Sequence, residues 1–306
     1  MEKIAVIGSG LIGRAWATVF SRAGHQVKLY DAVDGTVERA IGLIEEGLVE
    51  LKAAGLVSGN PKEIVKNISA ASSLEDAVSN ADYVQENTSE KLDVKREVFK
   101  QMDAVAPASC ILASSTSTIQ TSLFSEGLSG KNRCIVAHPV NPPHVVPIVE
   151  VSPASWTDES VVKRTYDLHA RVGQVPIIVK KEVAGFILNR LQAALLREAW
   201  RLVGEDYVSA EDLDKTVRDG LGLRWAFMGP FETIDLNAPE GVADYAGRFG
   251  KAFSEMMSGV NYSEWNAPLI SKVESQCREY LSHEKHVERE AIRDKKLMAL
   301  VAHKKG

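Results

Sequence analysis

Cysteine is scarce. Cys110, Cys134 and Cys277 are the only three in 306 residues. They are too few and too scattered for a disulfide framework or a zinc site, so no metal is expected. Each reads instead as a small buried hydrophobe in a reducing compartment. Long apolar runs are also missing. Nothing after Met1-Glu2-Lys3 has a signal-peptide core or the roughly 18 apolar residues that a membrane span needs, and the expectation is a soluble, cytoplasmic protein with no membrane partner. An excess of positive charge is absent as well: 36 Lys and Arg stand against 41 Asp and Glu, a net charge of −5, which argues against nucleic acid as a partner. There is no internal repeat and no low-complexity segment. What remains is ordinary globular composition, 45% hydrophobic and 25% charged, at a length that suits two domains.

Residues 4–7, Ile-Ala-Val-Ile, form a continuous apolar run, read as a strand buried on both faces. A glycine-rich turn follows, then a helical stretch stopped by Gly24, then a second strand over 26–30 that ends at Asp31. Val37, Ala40, Ile41, Ile44, Leu48 and Leu51 recur at helical spacing, and Asn60-Pro61 opens a further short helix. Strand signals return at 68–71, 83–84, 111–113, 134–137, 148–151 and 175–179, with helical stretches between several of them. Such alternation predicts a doubly wound α/β sheet of the Rossmann type. Beyond Lys181 the pattern changes. Residues 186–203 are almost entirely apolar and read as a buried helix. The rest reads as helix and loop, and the charged tail 283–305 as a solvated helix. The division expected is a Rossmann domain over 1–182 followed by an all-α C-terminal domain over 183–306.

Gly8-Ser9-Gly10-Leu11-Ile12-Gly13 fits G-x-G-x-x-G between a buried strand and a helix, with an acid 18 residues past Gly13 at Asp31. Gly8 permits the tight turn, Gly10 lets the backbone approach a pyrophosphate, and Gly13 lets helix and strand pack closely. The phosphates would sit at the positive end of the helix. Asp31 would accept hydrogen bonds from the adenine ribose and repel a 2′-phosphate, which favours NAD over NADP; these features alone leave FAD open.

A second cluster lies further on. Ser114-Ser115-Thr116-Ser117-Thr118 follows one strand and His138 ends the next, so both stand where open α/β sheets bind ligands. Glu150 lies within an apolar strand, where an unpaired carboxylate is expensive. Pairing it with His138 would orient the imidazole as a general base. The alternatives are a histidine satisfied by local backbone and a strand residue that faces outward.

These residues resemble the L-3-hydroxyacyl-CoA dehydrogenase superfamily. The likeness rests on Gly8 to Gly13, on Glu90-Lys91-Leu92-Asp93-Val94-Lys95, on the Ser114 to Thr118 run, on His138 with Asn141-Pro142, on Glu150, and on Gly185-Phe186-Ile187-Leu188-Asn189-Arg190-Leu191. The resemblance implies that His138 is the catalytic histidine and Glu150 its partner, that Ser117 and Asn189 contact the substrate, and that Glu90, Lys95 and Asn141 contact the cofactor. It also implies a homodimer through the helical domain. The stretch Gly220-Leu221-Gly222-Leu223-Arg224-Trp225-Ala226-Phe227 before Met228-Gly229-Pro230-Phe231-Glu232 is similar to the lambda-crystallin and L-gulonate 3-dehydrogenase branch, and L-carnitine dehydrogenase has a related form.

Arg224 could hold a small carboxylate bidentately, which a CoA thioester does not offer at that end. Trp225 and Phe227 could wall the pocket. Their alternatives are a surface ion pair and ordinary core packing. The expected activity is therefore NAD-dependent oxidation of a small L-3-hydroxy acid, with L-gulonate first, L-carnitine and L-3-hydroxyacyl-CoA as alternatives, and a non-enzymatic NAD(H)-binding protein as the reading of another class.

Overall fold

The computed structural model describes residues 1–258, 260, 265–280 and 284–305. The eight runs read as strands are all strands: β1 Lys3–Ile7, β2 Gln26–Tyr30, β3 Ile68–Ala70, β4 Tyr83–Glu86, β5 Ile111–Ser114, β6 Cys134–Pro139, β7 Ile148–Pro153 and β8 Val175–Ile178. They form one sheet in the order β3-β2-β1-β4-β5-β6-β7-β8. Strand side chains alternate between the two faces. Ile4 and Val6 therefore enter one buried cluster, with Trp16 and Phe20, while Ala5 and Ile7 enter another, with Val84, Phe99 and Leu112. Both faces are covered, which is why β1 has no polar interruption. The chain switches direction of travel between β1, which pairs with β2, and β4, which pairs with β1 on the other side. Ligands bind at this kind of switch point, outside the carboxyl ends of the strands.

One pairing breaks the parallel pattern. β6 and β7 run antiparallel, with His138 directly opposite Glu150. The sheet is otherwise parallel, and the helix Glu159–Arg171 carries the chain from β7 to β8.

Contacts divide the chain into two units, Met1–Arg190 with Arg293–Gly306, and Leu191–Ile292. The end of the chain corrects one expectation. The helix His286–Lys305 is not simply solvated: Met298 is buried in the sheet unit's core, with Leu297 and Val301 packed against it.

The second unit is helical, built from most of Leu188–Gly204, then Ala210–Lys215, Pro230–Leu236, Val242–Met256 and Ala267–Tyr280. A π-helical turn, Thr216–Leu221, leads into the short helix Gly222–Trp225. The apolar stretch expected to be a buried helix from 186 is different in two respects. The helix begins at Leu188, because Gly185 and Phe186 take left-handed backbone angles, φ 75° and 49°. Within this chain it is largely exposed: Leu191 is 64% exposed and Val203 is its one fully buried residue. A unit of about a hundred residues has too little volume to cover such a helix on all sides.

Candidate active site

The glycine turn has the geometry of a phosphate cradle. Gly8 has φ +93°, and a Cβ there would stand 2.7 Å from the Asn87 carbonyl oxygen. A Cβ on Gly13 would lie 1.8 Å from the Gly8 carbonyl oxygen, so only glycine lets the helix Leu11–Arg22 start this close to β1. Gly10 is different: a Cβ there would meet nothing within 4 Å. Gly10 lines a surface cavity with Ser9, Arg14 and Asp31, and the residues present fit a dinucleotide. Leu11 is exposed and Ile12 packs on the core. Asp31, at the end of β2, accepts from the Ser9 backbone N–H at 2.7 Å, the Ser9 hydroxyl at 2.8 Å and the Val33 N–H at 3.1 Å. Burial alone would raise its pKa, but these bonds bring it below the usual carboxylate range. It is therefore anionic beside the turn.

Beyond β4 and β5 the hydroxyls are sorted by two carboxylates. Glu86 is fully buried. It accepts from the Ser114 hydroxyl at 2.6 Å and the Thr88 N–H at 2.6 Å, and it holds Lys95 Nζ at 3.1 Å from each oxygen. Glu90 accepts from the Thr116 hydroxyl at 2.6 Å, the Ser117 N–H at 2.8 Å and the Thr118 N–H at 3.1 Å. Burial pushes the Glu90 pKa up, and those bonds with the nearby Lys95 ammonium, 3.5 Å away, more than reverse it. Lys95 is only 1% exposed between the two acids. Ser115 donates to Asn87 at 2.7 Å. Of the five consecutive hydroxyls, four are thus committed, Thr118 to Glu90 at 3.3 Å, and the exposed Ser117 hydroxyl alone has no partner among the described residues.

His138 Nδ1 lies 2.9 Å from Glu150 Oε2. Both are buried, Glu150 completely. The other oxygen, Oε1, accepts the backbone N–H groups of Ile187 at 2.8 Å and Leu188 at 3.0 Å. Burial would raise the Glu150 pKa, but the bonds from His138, Leu188 and Ile187 lower it below the ordinary range. An ionised carboxylate only accepts, so Nδ1 is the donor in this bond and Nε2 is the ring nitrogen not engaged by Glu150. The Phe186 ring packs on the imidazole with centroids 5.3 Å apart. Asn189 donates its amide to the Ser117 carbonyl at 2.9 Å. His138, Glu150, Asn189, Ser117, Glu90 and Lys95 thereby belong to one region of the sheet unit. Asn141 stands exposed just past β6, before the cis Asn141-Pro142 peptide, and its side chain makes no hydrogen bond among the described residues.

Arg224 and Trp225 lie in the helical unit, on Gly222–Trp225. Arg224 is exposed and makes no ion pair among the described residues. Trp225 is 40% exposed and Phe227 57%, so core packing does not account for them.

The profile of the 3-hydroxyacyl-CoA dehydrogenase NAD-binding domain matches residues 3–183, and that of the same enzymes' C-terminal domain matches residues 185–269. The chain belongs to the 3-hydroxyacyl-CoA dehydrogenase family. It is an NAD-dependent oxidoreductase acting on a CH–OH group. A lambda-crystallin homolog of Bos taurus is 42% identical over 302 residues, 97% of this chain and 94% of that protein. An L-carnitine dehydrogenase of Oceanobacillus iheyensis is 33% identical over 98% of this chain and 97% of its own length. Among solved structures, an NAD+-dependent 5-formyl-3-hydroxy-2-methylpyridine 4-carboxylic acid 5-dehydrogenase superposes with a TM-score of 0.84 at 30% identity, covering 98% of this chain and 97% of that one. Reasoning from sequence missed three members of this dehydrogenase's site region: Glu86, Gln85 and Phe186. An acid ending the short strand 83–86 was the available signal for Glu86; nothing in the sequence marked Phe186 as left-handed.

Proposed function

We propose that this dehydrogenase oxidises the 3-hydroxyl of a small L-3-hydroxy acid, with L-gulonate the first substrate to test. The observation that carries the reading is the buried His138–Glu150 contact of 2.9 Å, which engages Nδ1 with the carboxylate and leaves Nε2 as the nitrogen available to a substrate. NAD, when bound, supplies the hydride acceptor. His138 Nε2 takes the hydroxyl proton as the carbonyl forms, and Glu150 stabilises the resulting imidazolium. Ser117 and Asn189 hydrogen-bond the reacting oxygen against developing charge. Gly8, Ser9, Gly10, Leu11, Ile12 and Gly13 cradle the dinucleotide, Asp31 takes its ribose, and Glu90, Lys95 and Asn141 face its reactive end. Arg224 takes the substrate carboxylate, and residues 183–306 serve the substrate and the subunit contact.

The free-acid reading is supported by the small carboxylic acid named in the solved structure reported above. L-carnitine is the second reading, favoured by exposed Trp225 and Phe227, which suit a trimethylammonium group. A homodimer through the helical unit is supported by the face of Val242–Met256 that presents Phe249, Phe253 and Met256, 43%, 51% and 66% exposed.

NADH formation across a panel of 3-hydroxy acids and their CoA thioesters tests the substrate class: turnover of thioesters alone would sink the free-acid reading. His138→Gln tests the base. Turnover is expected to fall about 10²–10⁴-fold, with NAD affinity nearly intact, and turnover within a few-fold of wild type would remove His138 from the role.

A further inference from the structure

Gln85 is fully buried near the end of β4, and every polar atom of its amide is used. Tyr83, two residues earlier on the same face, donates its hydroxyl to Oε1 at 2.9 Å. Nε2 donates to Ser115 Oγ at 2.7 Å and to the Ala137 carbonyl at 3.2 Å. A flipped amide would turn its oxygen toward the Ala137 carbonyl, so these partners fix one orientation.

The bond to Ala137 crosses a strand. β5 lies between β4 and β6, and Gln85's register partner there is Ala113, whose methyl group leaves the passage clear. The β5–β6 ladder ends at Ser114 opposite Val136, whereas β6 continues to Pro139 against β7. Ala137 lies past the end of that ladder, and Gln85 supplies a donor to its carbonyl there. The next residue is His138. The other acceptor, Ser115 Oγ, also takes Trp16 Nε1–H at 2.9 Å and donates to Asn87 at 2.7 Å. Asn87 is the residue whose carbonyl crowds Gly8. One amide therefore ties together the segments that carry the phosphate turn, Ser117 and His138.

We infer that Gln85 is a positioning residue, holding the end of β6, and with it the His138 imidazole, in register with the turn that bears Ser117. The inference rests on His138 being the base. Leucine at this position would keep most of the volume and supply no donor, taking one donor each from the buried Ala137 carbonyl and the half-buried Ser115 hydroxyl, which keeps Trp16.

The test is Gln85→Leu in the full chain, measured beside His138→Gln, with NAD titration to count binding sites and kcat expressed per site on the best hydroxy acid of the panel. We expect kcat per site to fall about 10–100-fold, as for a reacting group misplaced by up to an ångström, and the NAD Kd to stay within about threefold. Loss of folded protein alone would lower the number of NAD sites and leave kcat per site unchanged. Tyr83→Phe, which removes the donor that orients the amide, gives the same readout if Gln85→Leu does not fold, with a several-fold loss expected. Unchanged kcat per site in whichever of these variants folds, with His138→Gln inactive, overturns the positioning role alone. Turnover that survives His138→Gln overturns the base assignment, and this inference with it.

Discussion

His138 and Glu150 face each other across the one antiparallel ladder of the sheet, and their Nδ1–Oε2 separation is 2.9 Å. Residues directly opposite in such a ladder project to the same face. The spacing of 12 residues is therefore a property of the β6–β7 turn, and a one-residue slip would send the two side chains to opposite sides of the sheet.

Glu150→Gln separates the charge of this pair from its shape. The amide oxygen can still accept from Ile187 and Leu188, but its NH₂ then faces His138 Nδ1 and makes that nitrogen the acceptor. The imidazole proton moves to Nε2, where the base is needed, the same tautomer argument that applies to a triad aspartate. The expected result is a loss in kcat of about 10²–10⁴-fold with NAD affinity and thermal midpoint close to wild type. Steady-state kinetics beside a melting curve decide it, and a kcat within threefold of wild type would count against an oriented base.

The glycine turn makes a paired prediction. Gly13→Ala forces a Cβ to within 1.8 Å of a carbonyl oxygen and should lower the melting temperature sharply, or prevent folding. Gly10→Ala meets nothing within 4 Å, so the unliganded protein should melt as wild type does. Its methyl group would instead occupy the path of the pyrophosphate, and the NAD Kd should rise about tenfold or more, as a cofactor lost by 1.4 kcal/mol would. Equal NAD binding in wild type and Gly10→Ala would place the dinucleotide elsewhere.

Much of this was legible in the sequence, for physical reasons. β1, β5 and the start of β6 are buried on both faces, so they read as unbroken apolar runs, while β2 alternates apolar with polar residues and was placed by its position after the glycine turn and first helix. A glycine whose Cβ would collide with backbone has no substitute, and the turn could be read residue by residue. Glu150 stood out because an acid inside Ile-Val-Glu-Val requires a partner. Direction was hidden, because an apolar run is the same in a parallel or an antiparallel ladder, and with it the direct opposition of His138 and Glu150. Gln85 was hidden because the groups that hold its amide nitrogen, Ser115 and Ala137, lie 30 and 52 residues along the chain, and the Ser114 hydroxyl on Glu86 lies 28 away. The helix Leu188–Gly204 was misread as buried because composition reports the wish for cover and not its source. In the tail, the Leu297, Met298 and Val301 stripe was present but outweighed by charge.

Arg224→Met addresses the carboxylate anchor. Arg224 is exposed and makes no ion pair among the described residues, so its loss should leave the melting temperature unchanged. A hydrogen-bonded charge contact removed from a bound carboxylate is worth about 1.5–3 kcal/mol, which raises KM for a free acid by about 10–150-fold and leaves a thioester substrate unaffected. An unchanged KM for the free acid would release Arg224 from the role.

The last prediction concerns pH and a histidine outside the reaction. His169 is fully buried against the Trp16 and Phe20 rings, 5.0 and 6.0 Å away, and its Nε2 meets the Tyr83 hydroxyl at 3.0 Å. Burial pushes its pKa from 6.5 down to about 3. Because that hydroxyl donates to Gln85, Nε2 is the protonated nitrogen, and Nδ1 has no hydrogen-bond partner among the described residues. Below pH 6.5 the unfolded chain takes up a proton that the folded chain refuses until about pH 3. Stability must therefore fall as pH falls through that window, by about 1.4 kcal/mol per pH unit for this group, and be unaffected by it above. His144, pushed down to about 4 by burial and by the Arg22 guanidinium, adds a second loss of the same sign. His169→Phe fits the aromatic surroundings, leaves the Tyr83–Gln85 bond in place and removes one of the two proton uptakes. The slope of unfolding free energy against pH between 6.5 and 4 should then be about half that of wild type, if these two histidines dominate it. Parallel slopes in denaturant titrations at stepped pH would show that His169 is not what sets the acid limit of this fold.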